Sequence, residues 1–147
     1  MNYTGFWRRF VALAIDSLIL AIPALVFTGL SRNFATSMIA GAVLGFFYYP
    51  IFESSIMSAT PGKALMGMTV VGVAGERISY KTGLIRFFSR YLSLVLFYVG
   101  YLMQPFTEKK QTLHDMIAGT VVVDFKSEDL NYFTAWSEQF KVIFNKL

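Results

Sequence analysis

Apolar positions fall along this chain in long runs, not in the short alternations or narrow stripes of a water-soluble fold. The first run, about Phe10 to Leu30, has the length needed to cross a bilayer as a helix. The second runs from about Phe34 to Ile56. Within it Ser37, Gly41 and Gly45 put small side chains on one stripe, where another helix can approach closely; Tyr49 and Glu53 continue that stripe. The third, about Leu84 to Phe106, differs in kind. Arg86, Ser89, Arg90, Ser93 and Gly100 recur at helical spacing, so it carries a polar stripe.

The segments between are short and well punctuated. Thr60 as N-cap and Pro61 at the first helical position predict a short helix. Met68 to Val73 reads as a strand, with Ala74-Gly75-Glu76 turning into a short return near Ile78. Thr112 with Asp115 resembles a capping box, Gly119 sits where that helix would end, and Thr120 to Val123 reads as a strand able to pair with the Met68–Val73 hairpin. From Ser127 onward, Leu130, Phe133, Trp136, Phe140, Ile143, Phe144 and Leu147 cluster on one face, as in an amphipathic helix lying on a membrane or, alternatively, a partner. The expected fold is mainly α and integral to the membrane. It has about three transmembrane or membrane-embedded helices (10–30, 34–56 and 84–106), a small cytoplasmic β-hairpin element and a C-terminal amphipathic helix. Residues 1–124 form the membrane domain and 125–147 the tail.

Composition agrees with this picture. The 147 residues are 55% hydrophobic and only 15% charged, with a net charge of +4. Basic residues flank apolar segments, which suits an anionic leaflet and argues against nucleic-acid binding. Without cysteine there are neither disulfides nor thiolate metal sites, and the lone His114 has no second ligand, so neither a metal nor a cofactor is expected. The N-terminus has a basic stretch before its apolar run, as a signal peptide does. The run is too long for that, and no clean cleavage site follows, so an uncleaved first span is expected.

Charges inside the apolar runs are the candidate chemistry. A carboxylate near the middle of a span costs roughly 2.5–3.5 kcal/mol on insertion scales, so Asp16 should face protein or a water-filled cavity. Arg9 lies on nearly the same helix face but about 10 Å away along the axis, too far for contact. Asp16 should therefore find its partner on another helix. Glu53 has no basic neighbour in sequence, and Arg86 and Arg90 lie one turn apart on one face. The cheapest arrangement is a cluster in which Asp16 and Glu53 pair with Arg86 and Arg90. Arg8-Arg9, the Lys63–Lys81 loop and Lys109-Lys110 all have cytoplasmic character. Three full crossings would separate the first from the last of these, whereas a broken hairpin in the third segment would keep them on one side. A cytoplasmic N-terminus fits both.

Three blocks then carry a resemblance. Gly5-Phe-Trp-Arg-Arg-Phe-Val-Ala-Leu-Ala-Ile-Asp16, Thr60-Pro-Gly-Lys-Ala-Leu-Met-Gly-Met-Thr-Val-Val71 and Gln111-Thr-Leu-His-Asp-Met-Ile-Ala-Gly-Thr-Val-Val-Val123 together resemble the RDD family of small, mostly prokaryotic membrane proteins. That family is named for one arginine and two aspartates. By this resemblance the arginine is Arg9 (with Arg8 as the alternative) and the aspartates are Asp16 and Asp115. Glu53, Arg86 and Arg90 stand where many relatives carry similar charges, while Ser93 stands where many carry an acid. The resemblance covers about residues 3 to 124 and implies a multi-pass protein of the bacterial inner membrane. It also implies transport, with monovalent cation/proton exchange attributed to some members.

Two functions are therefore expected to compete. In the first, Asp16 holds a proton or a cation in turn, Arg86 or Arg90 tunes it, and the small segment count requires a homo-oligomer, for which the Ser37–Gly41–Gly45 stripe offers an interface. In the second, the charges are structural and the chain is a scaffold or regulatory subunit for another membrane protein. An enzyme is not expected, because no nucleophile–base pairing or metal-ligand spacing is present.

Overall fold

The computed structural model describes residues 1–31, 33–95 and 103–124. Two long helices lead. The first, α1 (Phe6–Ser31), starts earlier than the apolar run because Trp7, Arg8 and Arg9 extend it outward. The second, α2 (Phe34–Ser54), is capped by Asn33, whose side chain accepts from the Ala35 N–H. Phe6–Phe27 and Ala35–Ser54 are long and apolar enough to cross a membrane, and only 11% and 17% of their most apolar windows are buried within the chain. Leu18, Ile22, Leu25, Met38 and Ile39 stand on the outside of these helices.

A short helix, α3 (Pro61–Leu65), is capped as expected: the Thr60 hydroxyl accepts from the Lys63 N–H and Pro61 occupies the first turn. It leads into β1 (Met68–Gly72), then α4 (Tyr80–Val95), a 3-10 turn (Gln104–Phe106), α5 (Leu113–Ile117) and β2 (Thr120–Asp124). The third apolar segment differs from expectation. Its described part, α4, is an amphipathic helix that begins at Tyr80, ahead of Leu84, and packs along α2. Residues 96–102 and the 125–147 tail lie outside the described residues.

The expected pairing of Thr120–Val123 with Met68–Val73 forms, while the expected hairpin return does not extend into a strand. β1 pairs antiparallel with β2, from Met68↔Asp124 to Gly72↔Thr120, whereas the return after Gly75 makes only one bridge, Val71↔Arg77. The ladder therefore joins two segments far apart in sequence. The physical reason is burial: Val70, Val121 and Val122 are essentially inaccessible, whereas the residues from Val73 to Arg77 are exposed. On the other side of β2, Thr4 N–H donates to the Val122 carbonyl at 3.1 Å and Asp124 N–H to that of Asn2 at 2.8 Å, pinning the start of α1 to the sheet. Ala12, Met68, Val70, Ile78 and Val122 form the small core at this junction.

An internal repeat underlies this base. Each half runs threonine cap, one-turn helix, left-handed glycine, strand: Thr60 to Gly72 and Thr112 to Asp124. Gly67 (φ 64°) and Gly119 (φ 63°) make the helix-to-strand corner in each, a conformation costly for other residues. One interval separates Thr60 from Thr112, Gly67 from Gly119 and Val70 from Val122, and Val70 pairs with Val122 in the ladder. A local twofold through that pair relates the halves.

Candidate functional site

The helix ends converge above the sheet, and there the charges meet. Glu53, at the end of α2, is completely buried. Its Oε2 accepts from Arg86 Nε at 2.9 Å, its Oε1 pairs with Lys63 Nζ, and Arg90 Nη2 lies 3.5 Å from Oε1. Arg86, 1% exposed, reaches on with Nη1 to Asp115 Oδ1 at 2.6 Å and to the Thr120 hydroxyl. Asp115 is also held by Arg9 Nη1 at 2.5 Å and by the Thr112 N–H at 3.1 Å. The capping interaction expected for Asp115 is thus present, together with two guanidinium partners. One connected network links α1, α2, α3, α4 and α5. Breaking a buried pair from one side leaves an uncompensated charge, which makes such a network decisive for a single arrangement.

Electrostatics outside the two long helices follow from this geometry. Burial alone would push the Asp115 carboxyl up, but Arg86 and Arg9 outweigh it and hold the group well below the usual carboxylate range. Burial pulls the Lys63 ammonium down from its ordinary 10.5, against the opposing pull of Glu53. His114 is pushed down to about 3 by burial, which outweighs nearby Asp115, so its ring is neutral. It sits within hydrogen-bond distance of the Thr112 hydroxyl, as a structural hydrogen bonder does.

Asp16 is arranged differently from expectation. It is 1% exposed, yet among the described residues no cation pairs with it; Arg86 and Arg90 are committed to Glu53 and Asp115. Three neutral donors hold it instead: Tyr48 Oη at 2.8 Å and the Gly62 N–H at 2.8 Å on Oδ1, and the Thr60 hydroxyl at 2.6 Å on Oδ2. The partner on another helix is therefore a hydroxyl from α2 plus the first turn of α3. A Cβ on Gly62 would lie 2.3 Å from the Ala12 carbonyl oxygen, so only glycine lets α3 approach α1 this closely. Of the stripe on α2, Gly45 is covered by the Phe87 ring of α4, while Gly41 has open space beside it. Ser37 bonds its hydroxyl back to the Asn33 carbonyl.

Sequence reasoning missed three participants. Lys63 was legible only as loop charge, Tyr48 stands beside the residue that was noticed, and Gln104, 1% exposed, donates to the Thr4 carbonyl at 2.9 Å. A buried position is visible in sequence when its polarity breaks a run, as Gln104 does in the third segment; Lys63 and Tyr48 do not. Arg8, the alternative family arginine, pairs instead with Asp124 at 2.6 Å on a half-exposed surface.

A cavity of about 230 Å³ opens at this junction. Phe6, Phe10 and Leu13 of α1, with Tyr49 and Val122, give its apolar wall. Its polar wall holds four cations, Arg9, Lys63, Arg86 and Arg90, with one carboxylate, Asp16. Gln104, Thr112 and His114 complete it. Arg90 also lies over the Tyr49 ring, 4.0 Å from its centroid.

The comparisons with known proteins fit this construction. The RDD family model matches residues 3–119, which include Arg9, Asp16 and Asp115. "Uncharacterized protein YxaI" of Bacillus subtilis is 32% identical, over 81% of this chain and 95% of its own. "Uncharacterized membrane protein YteJ" of the same organism is 27% identical over 84% and 82%, and "Uncharacterized protein YckC" 28% over 80% and 82%. No solved structure matches. Matched by the family model over most of its length, this chain belongs to the RDD family.

Proposed function

We propose that the chain is a multi-pass protein of the bacterial inner membrane, its N-terminus cytoplasmic, that acts by binding and organising a membrane partner or further copies of itself. It neither carries ions nor catalyses a reaction. The observation behind this reading is that all three buried carboxylates of the described junction are satisfied by the chain's own groups. Asp16 takes three neutral donors, Glu53 takes Lys63 and two arginines, and Asp115 takes two arginines and a backbone N–H. Exchange at Asp16 would require donors that fix the α1–α3 contact to let go in each cycle. The open space beside Gly41 on α2 gives a second helix, from a partner or another copy, room to pack.

Monovalent cation/proton exchange through Asp16 is the competing reading, favoured by the place of Asp16 in the cavity wall. Flux in proteoliposomes containing only this protein separates the two. A pH gradient is imposed and read with a dye, and sodium, lithium or potassium is added. The binding reading expects no cation-dependent collapse, and Asp16→Asn expected to lower thermal stability in detergent. Collapse by wild type that disappears in a folded Asp16→Asn variant would establish exchange.

A further inference from the structure

We propose that the base of the fold is sunk into the cytoplasmic leaflet, with Leu65 and Ile117 seated in lipid at the boundary between headgroups and acyl chains. The inference rests on the multi-pass reading, and what carries it is where the base lies along α1. The short helices and the sheet flank the first turns of that helix. Gly62 of α3 sits against the Ala12 carbonyl and donates its N–H to Asp16 at 2.8 Å; four residues on, the Met66 carbonyl accepts from Arg8. α3 therefore runs antiparallel to α1, its first turn level with Ala12 to Asp16 and its end level with Arg8. The strands are held beside the same turns: Ala12 packs with Met68, Val70 and Val122, and the Val122 carbonyl accepts from the Thr4 N–H at 3.1 Å. Asp16 is six residues into the apolar run that starts at Phe10, about 9 Å at 1.5 Å per residue. With that run filling a hydrocarbon layer of about 30 Å, the start of α3 is inside the layer and its end is at the edge.

The outward side chains fit that depth. Trp7, 74% exposed at the foot of α1, stands beside the Arg8 that holds Met66, and exposed tryptophan collects at the headgroup level. Leu65 and Ile117 are 57% and 48% exposed, and each is the last residue of a one-turn helix. The interval between them is that between Thr60 and Thr112, so the local twofold gives each half of the base one outward apolar foot. Feet of this kind, buried at the headgroup–acyl boundary, hold a surface-lying element in a membrane. The charges at this depth turn the other way: Glu53, Lys63, Arg86 and Asp115 pair with one another inside the junction. Lipid on the outside offers polar groups no partner, and under that condition each buried carboxylate must be satisfied within the chain, as Asp16, Glu53 and Asp115 are.

The chain has no cysteine, so single introduced thiols report without background. Leu65→Cys and Ile117→Cys would be spin-labelled in the full chain and reconstituted in vesicles of phosphatidylcholine and phosphatidylglycerol. Leu25→Cys, on the exposed face of α1 well inside its apolar run, is the reference for lipid. Ala74→Cys, in the exposed turn whose Gly75 lies beside the Met1 side chain, is the reference for water. Power saturation with oxygen, which concentrates in lipid, and with a water-soluble nickel chelate gives the depth of each label. Both feet should lie roughly 5–10 Å into the leaflet, with oxygen-to-nickel ratios above that of Ala74 and below that of Leu25. Should either variant fail to fold, Met116→Cys, also exposed on the last turn of α5, takes its place. Feet as open to nickel as Ala74, with Leu25 in lipid, overturn the inference and leave the multi-pass reading standing. Leu25 equally open to nickel overturns both. Feet immobilised and shielded from both reagents would seat protein there in place of lipid, and also overturn the inference.

Discussion

Gly62→Ala probes the contact on which the whole junction depends. The new methyl would sit 2.3 Å from the Ala12 carbonyl oxygen and 2.8 Å from Asp16 Cγ and Oδ1. Backbone oxygen cannot swing aside as a flexible side chain does, so α3 must move away from α1 by about an ångström. Overpacking of this kind costs about 1–3 kcal/mol. The movement also stretches the 2.8 Å bond from Gly62 N–H to Asp16, and losing a hydrogen bond to a charged group costs about 1.5–3 kcal/mol more. Together the two amount to about 2.5–6 kcal/mol, or roughly 5–24 °C in unfolding midpoint at about 2–4 °C per kcal/mol. Circular dichroism of the protein in mild detergent would read the shift. Gly41→Ala is the matched control, because nothing lies within 4 Å of its added carbon and alanine is the better helix former by about 0.5–1 kcal/mol. It should leave the midpoint level or raise it. A Gly62→Ala protein as stable as wild type would refute the claim that α3 is pressed against α1.

Other perturbations test the network and its pH dependence. Glu53→Gln removes the carboxylate that Lys63, Arg86 and Arg90 share and should destabilise by about 3–5 kcal/mol. Adding Lys63→Met should restore part of that loss, and a coupling below about 0.5 kcal/mol in the double-mutant cycle would count against the pair. His114 is held neutral to about 3 in the folded chain against an ordinary 6.5, so between those values the unfolded chain binds the extra proton. Stability should accordingly fall as pH drops below about 6.5 and level off near 3 for this group; His114→Gln should flatten that slope in denaturation curves measured at stepped pH. Asp115, held far below its ordinary 3.8, adds a further loss as pH falls through that value. Asp16→Asn keeps one acceptor for Tyr48 and Gly62 but turns an amide towards the Thr60 hydroxyl, a cost of about 1–3 kcal/mol visible in the same melts.

The sequence by itself determined the elements that depend on local chemistry. Two apolar runs of spanning length, the Thr60-Pro61 helix start and the Thr112–Asp115 cap are written in consecutive residues, and each forms where those residues place it. The repeat of threonine, glycine and valines was equally available in the chain, but its meaning rests on Val70 and Val122 facing each other across a ladder that no short window contains. Tertiary structure alone decided which charge meets which. Counting acids and bases favoured one cluster of Asp16 and Glu53 with Arg86 and Arg90, because ion pairing is the cheapest solution when only charges are considered; Glu53 does meet both arginines, and Asp16 meets neither. In the folded chain Glu53 and Asp115 lie nearer those arginines, and Asp16 is reached first by a tyrosine, a threonine and a bare glycine N–H. Neutral donors leave no mark in a charge pattern, and the closeness that makes them sufficient comes from Gly62, whose missing side chain acquires meaning only when α1 lies against it.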